Sequence, residues 1–331
     1  MANVLLTDLC TRRCPYCFAT KKLGDGSSPR LIDLRTLIEI ADFLQRTGPM
    51  TIQLLGGEPT THPDFALFLD YLLGRGFKIR VFTNAMIRAR NLADIGEVIE
   101  RHKAPPTRIR FIVNVNEPHL RSRSEWQLQT RAFRQLGEYA ALSYNIHRAD
   151  GDLDFLADII ERYGIQRYIR FGIAAPVRGE ESSYLRVSDY RQAIDGLIDF
   201  ARRRCLEAGI AGGLDCGFPL CFFDDEALGL LFRSGFRIKF KCGPAIDIDA
   251  SKKAWHCFPL ADLSTVELTD FPNVRALTEY FRQAFEPQRR RGGILPECQT
   301  CVYKARGICD GGCLAHFIDR SGDGESAPRE P

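Results

Sequence analysis

Three cysteines, Cys10, Cys14 and Cys17, stand in the stretch "CTRRCPYC" near the start of the chain. Thiolates suit soft metal ions and iron–sulfur clusters. A C-x3-C-x2-C spacing on a tight loop lets three thiolates converge on one face of a cubane, each on a different iron. A [4Fe–4S] cluster takes four cysteines, so this triad leaves one iron open to a chelating ligand. A closed zinc site also wants four ligands, and no histidine or further cysteine lies close by in sequence to complete one.

The chain has 331 residues and twelve cysteines, with a formal net charge of +3. No export signal precedes the triad, which points to the cytoplasm, where thiols stay reduced and available as ligands rather than paired in a disulfide framework. No apolar run reaches the roughly 18–20 residues that span a bilayer, so no membrane is expected. Near-neutral charge implies no nucleic acid partner, and the runs Arg202–Arg203–Arg204 and Arg289–Arg290–Arg291 read as solvated surface. Eight of the remaining cysteines, apart from Cys205, lie in the C-terminal part: Cys216 and Cys221, then Cys242 and Cys257, then Cys298, Cys301, Cys309 and Cys313 in "CQTCVYKARGICDGGC". Taken alone, that last run reads equally as a zinc knuckle or as cluster ligands.

The elements that must hold these residues follow a repeating pattern. Short β-branched runs at 4–7, 51–55, 78–83, 109–115, 142–146 and 168–173 predict strands, separated by segments of helical period. The clearest helix covers 34–45, with Leu34, Leu37, Ile38, Ala41 and Leu44 in one stripe, and His62-Pro63-Asp64 marks the start of another. Six βα units predict an α/β fold, a partial (β/α)6 TIM-like barrel whose strand ends share one face. Residues 188–208 read as a closing helix. From Gly209 the regularity fails, and the segment is expected to depend on metal sites rather than a conventional core. The tail 319–331 is polar and rich in glycine and proline, and is expected to be disordered.

The triad, with an aromatic residue before its last cysteine, resembles the signature of the radical S-adenosylmethionine (SAM) superfamily. Two further stretches match. "LLGGEP" closes the second strand, where Gly56, Gly57, Glu58 and Pro59 resemble the superfamily's Gly-Gly-Glu-Pro motif; glycines permit close backbone approach, and a carboxylate or carbonyl there can accept the ammonium of a methionine moiety. "FTNA" closes the third, where Thr83 and Asn84 resemble the polar pair that reaches the SAM ribose or carboxylate. The resemblance covers about residues 2–175. It implies that Tyr16, Asn114, Asn145 and Arg170, polar positions on the cluster loop and later strands, also hold SAM.

The run from Cys242 to Cys257 together with the final four cysteines resembles the SPASM domain, which carries auxiliary [4Fe–4S] clusters. The implied layout is a barrel over 1–187, a linking helix over 188–208 and a SPASM-like domain over 209–318. By analogy one cluster draws on Cys221, Cys242, Cys257 and Cys313, the other on Cys298, Cys301 and Cys309. Two departures stand out: the gap between Cys301 and Cys309 is long, and no cysteine follows Cys313. Either Cys216 fills that place or one cluster keeps an open iron. Cys205 reads as a non-ligand.

The resemblance implies reductive cleavage of SAM to a 5′-deoxyadenosyl radical that takes a hydrogen atom from a substrate. The expected substrate is a peptide undergoing oxidative modification, a crosslink or thioether, in a ribosomally made natural product. With the triad starting at residue 10, no leader-binding domain is expected before the barrel, so a separate recognition protein is one candidate partner and a flavodoxin or ferredoxin the reductant. Dehydrogenation or isomerisation of a small molecule, and a non-catalytic iron–sulfur or zinc scaffold, are the alternatives. Phe258 after Cys257 speaks against the acidic base of the sulfatase-maturing branch. Asp247, Asp249, Tyr144 and His256 are the remaining candidates for a base, each with a structural reading beside it.

Overall fold

The computed structural model describes residues 2–24, 28–47, 51–180 and 182–321. Its first part is a run of parallel βα units: β1 (Ala2–Leu5), α1 (Leu34–Gln45), β2 (Thr51–Leu55), α2 (Phe65–Gly74), β3 (Lys78–Thr83), α3 (Ala89–Arg101), β4 (Ile109–Asn114), α4 (Arg123–Leu136), β5 (Ala140–Ile146), α5 (Asp154–Tyr163) and β6 (Tyr168–Ile173). Helix α1 starts where Asp33 accepts the Thr36 amide at 2.7 Å. Its buried stripe is turned slightly from the expected one, with Ile40 and Phe43 inside and Ile38 only half-buried. Pro63 lies just outside α2, whose N-cap position is Asp64. A capping box between Ser122 and Glu125 opens α4.

Strands β1 to β6 pair in sequence order. Side chains alternate between the two faces of each strand. One set, including Val4, Ile52, Val81, Phe111, Leu142 and Phe171, is buried. The other set lines a concave face. Arg170 on β6 places its guanidinium carbon 5.5 Å from the centre of the Phe82 ring on β3. A flat sheet would hold those two strands about 14 Å apart. The sheet therefore curls into an open barrel, in accord with the sequence reading.

The sheet does not end at β6. Strands β7 (Ala211–Leu214) and β8 (Arg237–Ile238) extend it in parallel on one side, and β9 (Asp247–Ile248) joins the free edge of β1 in parallel on the other. Strands β10 (Lys253–Trp255) and β11 (Thr265–Glu267) follow antiparallel, so "IDIDASKKAWHC" does form two short strands around a turn. The expected closing helix is broken: α6 (Tyr190–Phe200) passes through a π-helical turn, Ala201–Cys205, into α7 (Leu206–Ala208), which stops at Gly209 in the left-handed region.

The rest is α8 (Asp225–Arg233), α9 (Val274–Ala284), α10 (Glu286–Arg291), α11 (Val302–Ala305) and α12 (Leu314–Ser321). Contrary to expectation, this part does bury apolar side chains: Trp255, Leu277, Phe281, Phe285 and Ile294 are continuous with the barrel core. Helix α12 takes up the first three residues of the expected tail, and 322–331 lie outside the described residues. Among the described residues no helix is long and apolar enough to cross a membrane.

The basic runs are largely committed to local acids. Arg203 pairs with Asp154 and Asp199, Arg204 with Asp158, and Arg202 with Glu226. Arg289 is not solvated; it turns inward to Asp310 and His256.

Phe171 is fully buried and lies against Phe200 and Phe236, joining β6 to the C-terminal part. Phe171→Ala is expected to cost about 3–5 kcal/mol, read as a lowered urea midpoint with the metal content of the surviving fold unchanged.

Candidate metal centre

The loop after β1 is fastened to the end of β2 by backbone alone. Gly57 donates its N–H to Thr7 O at 2.7 Å and Glu58 to Leu9 O at 2.6 Å. A Cβ on Gly57 would stand 2.0 Å from Leu9 O and 2.8 Å from Cys10 N, and one on Gly56 would stand 2.3 Å from Thr7 O. Both glycines are needed for this approach. Asp8 ties the loop's other strand by accepting from the Arg30 amide and guanidinium. Within the loop, Cys17 donates its N–H to Cys14 O at 3.1 Å.

Cys10, Cys14 and Cys17 are half-buried and feel one another's charge. Burial pushes the Cys10 thiol up to about 11 and raises Cys14 and Cys17 as well. Opposing the rise at Cys14 are the Arg12 guanidinium and hydrogen bonds from Asn116 and Tyr16. Arg12, unlike exposed Arg13, turns inside, pairs with Glu125 at 2.9 Å, and leaves Nη1 buried without a partner. A buried cation beside the Cys10 and Cys14 thiols suits an anionic centre. Among the described residues no group of three or more His, Cys, Asp or Glu side chains is arranged around one metal ion.

Glu58 is a hub. Its buried carboxylate accepts from Thr60 Oγ1 at 2.6 Å, Thr83 Oγ1 at 2.7 Å and the Asn84 amide at 2.6 Å. Burial raises its pKa and these donors oppose the rise. Both of its oxygens thus accept from donors of the protein itself. Thr83 likewise points at Glu58 rather than away from the strand. Pro59 begins a buried 3-10 turn, Pro59–Thr61. Asn84 donates to Thr11 Oγ1 at 3.1 Å, linking the end of β3 to the cysteine loop.

The later polar positions share the concave face. Asn114 donates to Tyr16 OH at 3.0 Å and accepts from Asn145 Nδ2 at 3.2 Å, while Tyr16 donates to Asn116 and stacks on His147. Tyr16, Asn114 and Asn145 are therefore brought together. Arg170 lies beside Asn145 across Gly172 but makes other bonds, donating to Ser143 at 3.0 Å and pairing with Asp215. Sequence reasoning missed Arg12, Asn116, Asp215 and Gln129, whose amide donates to Asn84 O at 2.7 Å; for Asn116 the signal was its two-residue offset from Asn114.

The candidates for a base are held structurally. Tyr144 donates to Glu117 at 2.5 Å in the interior. Burial lifts Asp247 to about 7 while Asn3 donates to it at 2.5 Å. His256, lowered to about 3 by burial and Arg289, is packed against Phe281 and Phe285, and Asp249 caps the turn before β10.

The eight C-terminal thiols form two neighbourhoods. Cys216, Cys242, Cys257 and Cys313 sense one another's charge, and Cys221 senses Cys298, Cys301 and Cys309. This differs from the partition expected by analogy: Cys216 and Cys221 exchange places, and Cys221 lies within the 3-10 turn Leu220–Phe222. Tyr190 OH lies buried and unpartnered beside Cys216 and Cys313, a donor facing two of the thiols. Cys205 is remote from both sets and buried, its thiol lifted to about 12.

Residues 4–103 match the family model described as the Radical SAM superfamily. Mycofactocin maturase MftC of Mycolicibacterium smegmatis is 25% identical over 328 residues, 94% of this chain and 76% of that one. GTP 3',8-cyclase of Haemophilus influenzae is 31% identical over 91 residues, and the match spans only 27% of either chain. Among solved structures, SuiB of Streptococcus suis bound to S-adenosylmethionine superposes with a TM-score of 0.66 at 14% identity, covering 99% of this chain and 76% of SuiB. SuiB bound to its precursor peptide SuiA gives 0.65 at 15% identity, covering 99% and 74%. These structural likenesses establish the fold.

Glu58→Ala would leave buried donors on Thr60, Thr83 and Asn84 without an acceptor, at a cost of about 3 kcal/mol or more. The expected outcome is a lowered melting temperature together with loss of iron from the N-terminal centre, read by metal analysis.

Proposed function

We propose that this chain is a radical SAM enzyme that modifies a peptide oxidatively, with one SAM-binding [4Fe–4S] cluster and two auxiliary clusters in a SPASM-like C-terminal region. The observation that carries the reading is the three-thiol loop clasped to the Gly56–Glu58 backbone, with the Tyr16, Asn114 and Asn145 network beside it on the concave face. A cubane with one open iron, charged with SAM, supplies reductive cleavage of the sulfonium and a 5′-deoxyadenosyl radical for hydrogen abstraction.

The residues of the chain have separable tasks in this reading. Cys10, Cys14 and Cys17 hold the cluster, and Arg12 offsets its negative charge. The carbonyls at Gly56 and Gly57 accept the methionine ammonium. Asn84, Asn114 and Asn145 hold the polar edges of the nucleoside, and Glu58 fixes where they stand. Two sets of four thiols suit two fully ligated auxiliary clusters, {216, 242, 257, 313} and {221, 298, 301, 309}. With no open iron, these suit passage of an electron from the substrate rather than its ligation.

The peptide class is favoured by MftC, named a maturase and aligned over most of its length, and by SuiB, whose structures hold SAM and a precursor peptide. Anaerobic reconstitution is expected to load about twelve irons per chain, and reduction with SAM present to release 5′-deoxyadenosine. Cys14→Ala should abolish that release, while Cys221→Ala should remove about four irons and spare it. Incubation with short peptides encoded beside the gene should give a product lighter by two hydrogens. Absence of 5′-deoxyadenosine from the fully loaded protein would overturn the reading.

A further inference from the structure

The concave face has a second polar zone toward the N-terminal ends of its strands. By strand parity Arg80 shares this face with Phe82, and Arg110 with Asn114. Arg80 and Arg110 are register partners on β3 and β4. Arg237 on β8 is the register partner of Gly213, whose missing Cβ gives room to Tyr168 OH from β6. The curl of the sheet then brings Arg237 from β8 within reach of Arg110's charge on β4.

These three arginines differ from the chain's other clustered cations. Those of 202–204 and Arg170 are met by carboxylates. Among the described residues no carboxylate pairs with Arg80, Arg110 or Arg237, and the charges that bear on Arg110 are two guanidinia and the Tyr168 hydroxyl. Like charges set directly opposite each other on neighbouring strands destabilise a sheet. Arg110 Nε is buried with no hydrogen-bond partner, and buried polar atoms are nearly always partnered. Burial and the two neighbouring cations both depress the Arg110 pKa, so the zone lacks a counter-charge.

We propose that Arg80, Arg110 and Arg237 form a binding site for an oxyanion, a carboxylate or phosphate group, carried by the substrate. Guanidinium groups meet such anions through paired, charge-assisted hydrogen bonds. Arg110 precedes Asn114 by four residues, about 13 Å along the strand. The anchored group therefore sits well away from the cysteine loop and orients the rest of the molecule toward it. The word substrate rests on the function proposed above; the binding of an anion does not.

The test is calorimetric titration of the cluster-loaded protein, without reductant, with inorganic phosphate and with one short peptide bearing a free or an amidated C-terminal carboxylate. Saturable binding of phosphate or of the free-carboxylate peptide is expected, weakened about tenfold or more in Arg110→Gln and in Arg80→Gln and unchanged in Arg35→Gln on the surface of α1. Phosphate binding with no preference for the free peptide identifies a phosphate-bearing ligand; preference for the free over the amidated peptide identifies a carboxylate. No saturable binding of any probe, or equal affinity in a folded Arg110→Gln or Arg80→Gln protein, overturns the proposal. Release of 5′-deoxyadenosine by the wild-type protein without substrate tests the radical chemistry separately, so the two failures are distinguishable.

Discussion

The site depends on a close approach between two backbones. Two amides of the Gly57–Glu58 segment reach two carbonyls of the cysteine loop, and no side chain fits between them. Loops usually owe their shape to side chains, and those can change rotamer. Here the fixed elements are peptide groups, whose planarity leaves little freedom. The position of three thiols is thereby referred to the end of a buried parallel strand, one of the stiffer objects a protein offers.

Outward from that contact, order spreads through polar side chains with few spare partners. Glu58 ties the end of β2 to the end of β3, Gln129 ties Asn84 to the end of β4, and Asn114 with Asn145 carries the connection to β5. Each link is a buried or half-buried hydrogen bond whose loss would strand its partner. The strand ends thus behave as one polar rim above an apolar sheet. At the opposite end of the concave face Arg80, Arg110 and Arg237 have, among the described residues, no carboxylate partner.

Much of this was legible in the sequence because it is local. Strands 51–55, 78–83 and 168–173 begin and end where their β-branched runs do. The triad, the glycine pair and Thr83-Asn84 fall at consecutive strand ends as the spacing required. What the sequence hid is non-local. Strand β1 ends two residues before the expected position, and Thr7 instead forms an isolated antiparallel bridge with Leu31. Strands β8 and β9 are two residues each, too short to show any period. Cys216 and Cys221 have different thiol neighbours although only five positions apart, which no spacing rule encodes. Arg12 and Arg13 are chemically alike, and only packing against α4 decides which goes inside.

The pairing of β9 with β1 has a consequence for synthesis. Asn3 bonds Asp247, a separation of 244 residues. Until the ribosome has delivered the later strand, the first one presents a raw hydrogen-bonding margin to anything nearby. Closure across so long a stretch is slow. The nascent chain thus carries a sticky edge next to its three-cysteine loop for most of its translation.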